Sequence, residues 1–248
     1  DTNTLLGEVP EIKNFFVCCG LNSIGIGSGG GVGKVTAEWL MTGHINEDIF
    51  NYDIKRFQNF HSEIGFIKKR ITESLGDLYG MHWPFKQHKT SRNIKILPHH
   101  ENLKSFGACF GVSGGYERPM WFALDGEKAE YEYSYNYQNW YPSAEYETSN
   151  TTKNVGLFDL TPFSKFEIVS DNAHQELQRI CTANIKNEIG KCTYTHMLNS
   201  DGGIETDLTV VCLDKNHFRL ISSAATRERD KFHIKKHLSN EIELKDVT

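Results

Sequence analysis

The stretch Gly20–Leu40, GLNSIGIGSGGGVGKVTAEWL, concentrates glycine in one short part of the chain. It follows the apolar run FFVCCG at Phe15–Gly20, which predicts a buried strand. After the glycines, apolar residues recur at helical spacing, and Gly43 supplies a stop signal. The pattern predicts a strand, a glycine turn and a helix that begins near Gly31. Free amides and the helix dipole at such a junction suit an electron-rich ligand atom.

Two nucleotide motifs fit this stretch poorly. A P-loop requires a glycine, four further residues, Gly-Lys and then a hydroxyl residue, but counting from Gly33-Lys34 places Ser28 at the first position and Val35 at the last. The dinucleotide pattern G-x-G-x-x-G is met at Gly25, Gly27 and Gly30, yet no second strand ending in an acid follows at the required distance. Two interpretations stay open: a local ligand site, or a tight turn packed against another segment.

Composition limits the possible partners. The chain has 248 residues, a net charge of -5 and 38% hydrophobic residues. It contains no basic patch that would indicate nucleic acid, and no apolar run long enough to predict a membrane span. Its six cysteines show no ligand spacing, and the adjacent pair Cys18 and Cys19 is predicted to be buried and reduced. His233 and His237 are predicted to be solvent-exposed on a basic helix, so no metal site is expected.

Downstream, the pattern predicts mixed α and β structure. Ile64–Leu78 has apolar residues at steps of three and four, which indicates a helix. The tyrosine-rich run EYEYSYNYQNWYP fits either a strand or a connector packed on a domain surface. Beyond a boundary near Tyr141–Thr152, strands are predicted for VGLFDL, FSKFEIVS, CTYTHML, IETDLTVVCL and HFRLIS, with a helix after Asp171 or Asn172 and a closing helix at TRERDKFHIKKHL.

The order of several segments resembles the mitochondrial FAD-dependent sarcosine and dimethylglycine dehydrogenases. The segments are GEVPEIKNFFVCCGLNSIGIGSGGGVGKVTAEWLMTG, YDIKRF, GYERPMWF, LFDLTPFSKFEI and THMLNSDGGIETDLTVVCL. The resemblance implies an α+β fold, in which the C-terminal piece of a flavin oxidoreductase domain joins the start of an aminomethyltransferase-like folate-binding domain. The expected divisions are 1–60 for the flavin-domain segment, 61–145 for a middle domain and 146–248 for the folate-binding part.

The resemblance also implies two sites. Residues beside the flavin ring of FAD would be Gly20, Leu21, Asn22, Ser23, Gly29, Gly30, Gly31, Val32, Gly33 and Lys34, with amides that stabilise charge on the reduced ring. Asp207 takes the position of the catalytic aspartate that assists tetrahydrofolate. An outward-facing, purely solvated Asp207 is the alternative.

This sequence departs from the aminomethyltransferase pattern at three positions. Thr206 replaces the first of two adjacent aspartates, Ser223 replaces an asparagine, and Thr152 stands where an arginine is usual. The resemblance implies an N-methyl-amine dehydrogenase of the mitochondrial matrix, acting on small N-methyl amines and folate. The chain alone, lacking the family's nucleotide-binding fingerprint, is predicted to be inactive. The alternatives are a regulatory relative of the pyruvate dehydrogenase phosphatase type, and a structural piece within a complex of other mitochondrial chains.

Overall fold

A computed structural model describes residues 2–248, and within that range it contains nine strands and six α-helices. The strands are β1 (Leu5–Glu8), β2 (Phe16–Cys19), β3 (Ala108–Ser113), β4 (Tyr116–Phe122), β5 (Ser164–Val169), β6 (Cys192–Leu198), β7 (Ile204–Asp214), β8 (His217–Ser222) and β9 (Leu244–Asp246). The helices are α1 (Gly25–Thr42), α2 (Ile64–Leu78), α3 (His100–Ser105), α4 (Tyr141–Lys153), α5 (Ala173–Ile180) and α6 (Arg227–His237), with short 3-10 helices at Ile54–Arg56 and Asn59–Ser62. Among residues 2–248, no helix combines the length and the apolar character that crossing a bilayer requires.

The chain forms two compact units. The first, here called the sheet unit, joins the described residues up to Asn59 with Phe163–Thr248. The second, here called the hairpin unit, is Phe60–Pro162. The sequence-based division into 1–60, 61–145 and 146–248 stays a prediction.

A five-stranded antiparallel sheet organises the sheet unit. Its strand order is β6-β7-β8-β5-β9. Residues alternate along β5, β7 and β8, so that one face is buried and the other is open, as expected for an antiparallel sheet covered on one side. The buried face and helices α5 and α6 form the core: Phe166, Ile168, Leu177, Met197, Leu208, Val210, Phe218, Leu220 and Ile234 are each at most 2% exposed.

The N-terminal part of the sheet unit is held by a buried lysine. Lys55 Nζ lies 3.0 Å from Asp53 Oδ1 and donates to the Glu8 carbonyl oxygen at 3.3 Å. The same ammonium lies 4.6 Å from the ring centre of Trp39 on α1 and 5.1 Å from that of Phe232 on α6. Cation–π and ionic contacts therefore connect four elements of the unit at one point.

The hairpin unit contains the β3–β4 hairpin and helices α2, α3 and α4. Glu117 on β4 is 2% exposed and accepts from Arg92 Nε at 2.7 Å, from Arg92 Nη2 at 2.5 Å and from Asn93 N at 2.7 Å. The α2 boundaries confirm the predicted helix. Its apolar stripe is solvent-exposed, however: Ile64, Ile67, Ile71 and Leu75 are 65%, 38%, 50% and 55% exposed.

Several local predictions are wrong. VGLFDL is not a strand, and Leu157 within it is fully exposed. The tyrosine run is not a strand either. Its rings pack on one another and on a tryptophan: the ring centres of Tyr131 and Tyr133 lie 5.8 Å apart in a stacked pair, and the Trp121 ring lies edge-on to Tyr131 at 6.2 Å. The connector alternative is therefore the one found. Cys18 and Cys19 are exposed in β2, and in the part of the chain that the structure describes this strand pairs only with the short β1.

Candidate functional site

The open face of the sheet carries Asp207 near the start of β7. The β6–β7 hairpin turns at the predicted glycines, and its register places His196 directly opposite Asp207. Asp207 is exposed, whereas its neighbours Thr206 and Leu208 are buried on the other face. The alternation of the strand therefore directs the carboxylate to the open face, as period-two geometry requires.

One β6 side chain, Tyr194, contacts this carboxylate, and His196 packs against Tyr194. The Tyr194 hydroxyl donates to Asp207 Oδ2 at 3.2 Å, and the ring of Tyr194 lies edge-on to His196 at 5.3 Å. Partial desolvation and the charge of Asp207 raise the pKa of Tyr194. Asp207 is thus exposed but oriented by a hydrogen bond, which neither of the two sequence interpretations included. Tyr194 and His196 were missed because cross-strand register cannot be read from one strand alone.

A second carboxyl group lies beneath the same strand. Asp230 on α6 is fully buried, and its Oδ2 accepts from the Thr226 hydroxyl at 2.7 Å, while Oδ1 has no hydrogen-bond partner within residues 2–248. Burial raises the pKa of Asp230 to about 6, against the opposing effect of the hydroxyls of Thr226, Ser222 and Thr206. Thr206, which stands at the first aspartate position of the aminomethyltransferase pattern, therefore faces Asp230 rather than the open face of the sheet.

Two other positions of the aminomethyltransferase pattern have local roles. Ser223 follows β8, and its hydroxyl accepts from the Ala225 amide at 3.2 Å, which closes a turn. Thr152 lies in the last turn of α4, where its hydroxyl donates to the Thr148 carbonyl oxygen at 2.8 Å. Neither side chain has a contact with Asp207 among the described hydrogen bonds.

The glycine stretch differs from its prediction. Helix α1 begins at Gly25, six positions before the expected start, and its Ser28 amide already donates to the Ile24 carbonyl oxygen at 2.9 Å. The amides of Gly29 to Lys34 therefore lie inside the helix and are not free. A run of glycines does not forbid helix; it only makes helix less favourable, by about 1 kcal/mol per residue relative to alanine.

The turn before α1 is the irregular part of this segment. Gly20, Asn22 and Ser23 have φ angles of 70°, 39° and 70°, in the left-handed region. The free helix N-terminal amides are those of the first turn after Ile24. Farther along, a Cβ added to Gly27, Gly29, Gly30, Gly31 or Gly33 would meet nothing within 4 Å. Lys34 is exposed and lies 3.6 Å from Glu38, one helical turn on.

The sheet unit also contains a cavity of about 760 Å³. It is lined by the end of α1, the segment after it, the β6–β7 turn and α6. His44 Nε2 lies 2.9 Å from Asp201 Oδ2, and Ser200 Oγ lies 3.3 Å from His44 Nδ1. Asp201 is 62% exposed and adjacent to Ser200, unlike the buried orienting acid of a catalytic triad. These contacts therefore hold the segment after α1 against the β6–β7 turn.

Histidines of α6 face the same cavity. Burial, with the nearby charges of His237, Lys236 and Arg229, lowers the pKa of His233 to about 4. The rings of His233 and His237 pack edge to face, with their centres 4.4 Å apart. The prediction of a solvent-exposed pair is therefore wrong, because both rings are partly buried against the cavity wall.

The GCVT N-terminal domain family model matches residues 99–248, which is more than half of the chain. The chain belongs to the GCVT family. A second model, the FAD dependent oxidoreductase central domain, matches residues 42–96 of this GCVT-family chain. The two matches confirm the predicted junction of a flavin oxidoreductase segment with an aminomethyltransferase-like part.

Curated relatives match this GCVT-family chain along most of its length. It is 38% identical over 236 residues to the 4-methylaminobutanoate oxidase (formaldehyde-forming) of Paenarthrobacter nicotinovorans, covering 95% of the chain and 29% of that protein. It is 32% identical to human mitochondrial sarcosine dehydrogenase, covering 88% of the chain and 26% of the relative. It is also 32% identical to the mouse mitochondrial pyruvate dehydrogenase phosphatase regulatory subunit, covering 90% of the chain and 26% of that relative. The chain thus spans less than a third of each relative.

A solved structure supports the fold. The glycine cleavage system aminomethyltransferase T from Bartonella henselae matches 62% of this chain and 38% of its own, with a TM-score of 0.50 and 22% sequence identity. The predicted α+β fold with an aminomethyltransferase-like part is confirmed, as is the predicted resemblance to the sarcosine dehydrogenase family.

Proposed function

We propose that this chain is part of a flavin-dependent N-methyl-amine dehydrogenase that couples amine demethylation to tetrahydrofolate. The observation that carries the proposal is the direct succession of two family segments, the oxidoreductase central domain at 42–96 and the GCVT domain at 99–248. The same succession runs through a single match covering 95% of the chain in an N-methyl-amine oxidase. Sarcosine or dimethylglycine is the substrate class proposed by resemblance to the dehydrogenases.

The proposed flavin contact lies at the turn before α1. FAD, when bound, accepts a hydride from the N-methyl carbon. In the proposal, Gly20, Leu21, Asn22 and Ser23 and the first-turn amides of α1 face the cofactor, because their backbone groups are not used up by the helix. Gly29 to Lys34 do not fit an amide cradle, and the proposed contribution of the four glycines in this range is a surface without side chains that another group can approach closely.

Asp207 is the proposed general base on the folate side. Its Oδ2 is held by Tyr194, which leaves Oδ1 to accept a proton from folate N10 as the one-carbon unit is transferred. An exposed carboxylate on an open sheet face suits a ligand that is itself bulky. Thr206 cannot share the role, since it is buried on the opposite face.

The cellular setting is proposed from relatives only. Human sarcosine dehydrogenase and the mouse regulatory subunit are mitochondrial by name, so the mitochondrial matrix is the proposed location. Association with other mitochondrial chains is part of the same proposal, and it is supported by the similarity to a subunit of a larger enzyme.

A non-catalytic regulatory subunit is the second candidate. The mouse regulatory subunit is as similar to the chain as human sarcosine dehydrogenase is, at 32% identity for both. The presence of Thr206 and Ser223 at two expected folate-site positions also favours a relative that has lost the transfer step.

One experiment separates the two candidates. The polypeptide that carries this sequence is purified from its source, and its mass, visible spectrum and oxidation of sarcosine, dimethylglycine and 4-methylaminobutanoate are measured. An enzyme should show flavin absorbance near about 450 nm that is bleached by one of these amines. In that protein, Asp207→Asn should keep amine oxidation and lose methylene-folate formation. A protein without flavin absorbance would overturn the enzyme proposal and favour the regulatory one.

A further inference from the structure

Three potential metal ligands converge in the hairpin unit. Glu73 and Asp77 lie one turn apart on the same face of α2, and His88 comes from the loop after it. His88 Nδ1 lies 3.5 Å from Asp77 Oδ2 and 3.9 Å from Glu73 Oε1, and the three ligand atoms all lie within 4.8 Å of one another. The side chains are 17%, 29% and 33% exposed, so the cluster is more sheltered than ordinary surface acids.

The loop that supplies His88 is fixed on the helix. Glu73 accepts from the Lys89 amide at 2.6 Å and the Thr90 amide at 2.9 Å, and it also accepts from the Thr90 hydroxyl. Arg70 donates to the Thr90 hydroxyl from the same helix at 3.2 Å. The histidine and the two carboxylates therefore do not need a large rearrangement to meet around an ion, which lowers the entropy cost of binding.

The imidazole supplies a separate observation. The Nδ1 atom of His88 is buried and makes no hydrogen bond with any described residue, although two carboxylates are within 4 Å of it. A buried ring nitrogen with no partner costs free energy unless something else binds it. An imidazole nitrogen that faces two carboxylate oxygens is the donor set that a divalent transition metal uses.

Distances identify the type of ion. Zinc bonds of about 2.0–2.2 Å in tetrahedral geometry place ligand atoms about 3.4 Å apart. The two separations from His88 Nδ1, 3.5 Å and 3.9 Å, need shifts of only a few tenths of an ångström, and the ligand oxygens of Glu73 and Asp77 lie within 4.8 Å of each other. Calcium and magnesium prefer more ligands, all of them oxygen. We propose that Glu73, Asp77 and His88 bind one divalent transition-metal ion of the Zn²⁺ type, with water completing the coordination.

Two basic side chains compete for this site. Lys86 Nζ lies 2.6 Å from Asp77 Oδ1, and Arg70 Nε lies 3.9 Å from Glu73 Oε2. Lys86 is 31% exposed and has room to move into solvent, whereas Arg70 is only 13% exposed. Lys86 therefore acts as a competing cation that weakens metal binding. Removing its charge should tighten the site, an effect that a purely structural role of the cluster does not produce.

The test measures Zn²⁺ binding to the purified chain. Because Cys18, Cys19 and Cys192 are exposed thiols, all variants carry serine at these three positions. Competition with a chromophoric chelator should give one equivalent of Zn²⁺ per chain. His88→Gln and Asp77→Asn should each weaken binding at least tenfold, Lys86→Gln should tighten it several-fold, and the exposed His99→Gln is the control without effect.

Several outcomes would overturn the proposal. One is a chain that takes up no Zn²⁺ at micromolar concentrations, and another is His88→Gln binding as tightly as the parent. A weaker site in Lys86→Gln would also contradict it. Circular dichroism and the melting temperature of each variant, measured with chelator present, separate ligand loss from misfolding. Cobalt substitution provides an independent readout, since an N/O ligand set lacks the intense thiolate charge-transfer bands.

Discussion

The Tyr194 hydroxyl donates to Asp207 Oδ2 across two neighbouring strands, at 3.2 Å. Partial desolvation and the negative charge of Asp207 both raise the pKa of this tyrosine. The pair links the exposed carboxylate to a large aromatic side chain on the open face of the sheet. It makes the orientation of Asp207 measurable without any substrate.

Asp207→Asn should bring the pKa of Tyr194 back toward the ordinary tyrosine value, because the neighbouring charge and the acceptor are both changed. The measurement is an ultraviolet titration of tyrosinate, with Tyr194→Phe used to assign the Tyr194 contribution. Glu205→Gln is the matched control, since it removes a negative charge two residues away on the same strand but not the hydrogen bond. Equal titration curves for Asp207→Asn and Glu205→Gln would contradict the pairing.

Gly30→Ala should stabilise the chain by about 0.5–1 kcal/mol, because the position is helical and alanine is the better helix former. A Cβ at this position meets no atom within 4 Å. Gly7→Ala should instead destabilise by more than about 1 kcal/mol, since its φ is +111° and the added carbon would lie 2.3 Å from the Trp39 ring. Urea unfolding measures both. A destabilising Gly30→Ala would show that Gly30 is not in a helix.

Asp230 should make the chain less stable as the pH rises. Its pKa is raised from the ordinary aspartate value of 3.8 to about 6 in the folded state, so the stability present below pH 3.8 is lost as the pH rises through 6. The maximum effect is about 3 kcal/mol. Asp230→Asn should remove this dependence and be the more stable protein at pH 7.5. Unfolding curves at pH 4.5 and pH 7.5 test it, and an Asp230→Asn variant that is less stable at both would refute it.

Glu117→Gln should destabilise the hairpin unit by about 3–5 kcal/mol, because it leaves Arg92 without its charged partner in a mostly buried site. Burial alone would raise the pKa of Glu117, but hydrogen bonds from Arg92 and Asn93 outweigh it and the pKa is lowered. This stabilisation is therefore complete above the unfolded carboxyl pKa and is lost as the pH falls through the folded one. Hydrogen exchange of the β3–β4 amides reports it. The exposed Glu101→Gln is the control, and equal protection in both variants would contradict the prediction.

Helices and strands whose apolar pattern is sustained over many residues were predictable from the sequence. The helix at Ile64–Leu78 and the strands from Ser164 to Ser222 follow from apolar spacing, and the closing helix was predicted as well. Asp207 was identified through the resemblance to the aminomethyltransferases. The prediction was wrong at the glycine stretch, where glycine was taken to form only a turn. In α1 the glycines are helical, and the apolar residues that favour this helix begin at Val32. VGLFDL was predicted as a strand from its apolar residues. It is not one, because apolar residues alone do not supply a strand to pair with.

The neighbours of Asp207 and the cluster of Glu73, Asp77 and His88 could not be predicted from the sequence. Tyr194 meets Asp207 through cross-strand register, and His88 meets Glu73 through a loop whose path is set by hydrogen bonds to Lys89 and Thr90. Asp230 was missed because its burial depends on how α6 packs on the sheet. Each of these contacts joins residues that no local periodicity relates.

The sheet unit is made from two stretches separated by the whole hairpin unit. During synthesis, at about 5–20 residues per second, Phe60–Pro162 leaves the ribosome complete while β1, β2 and α1 still lack the helix that carries Phe232. The ammonium of Lys55 must therefore stay hydrated until the last elements emerge. In a nascent chain, the described residues up to Asn59 are therefore exposed to chaperones and proteases until Phe163–Thr248 has emerged, although they are made before the hairpin unit.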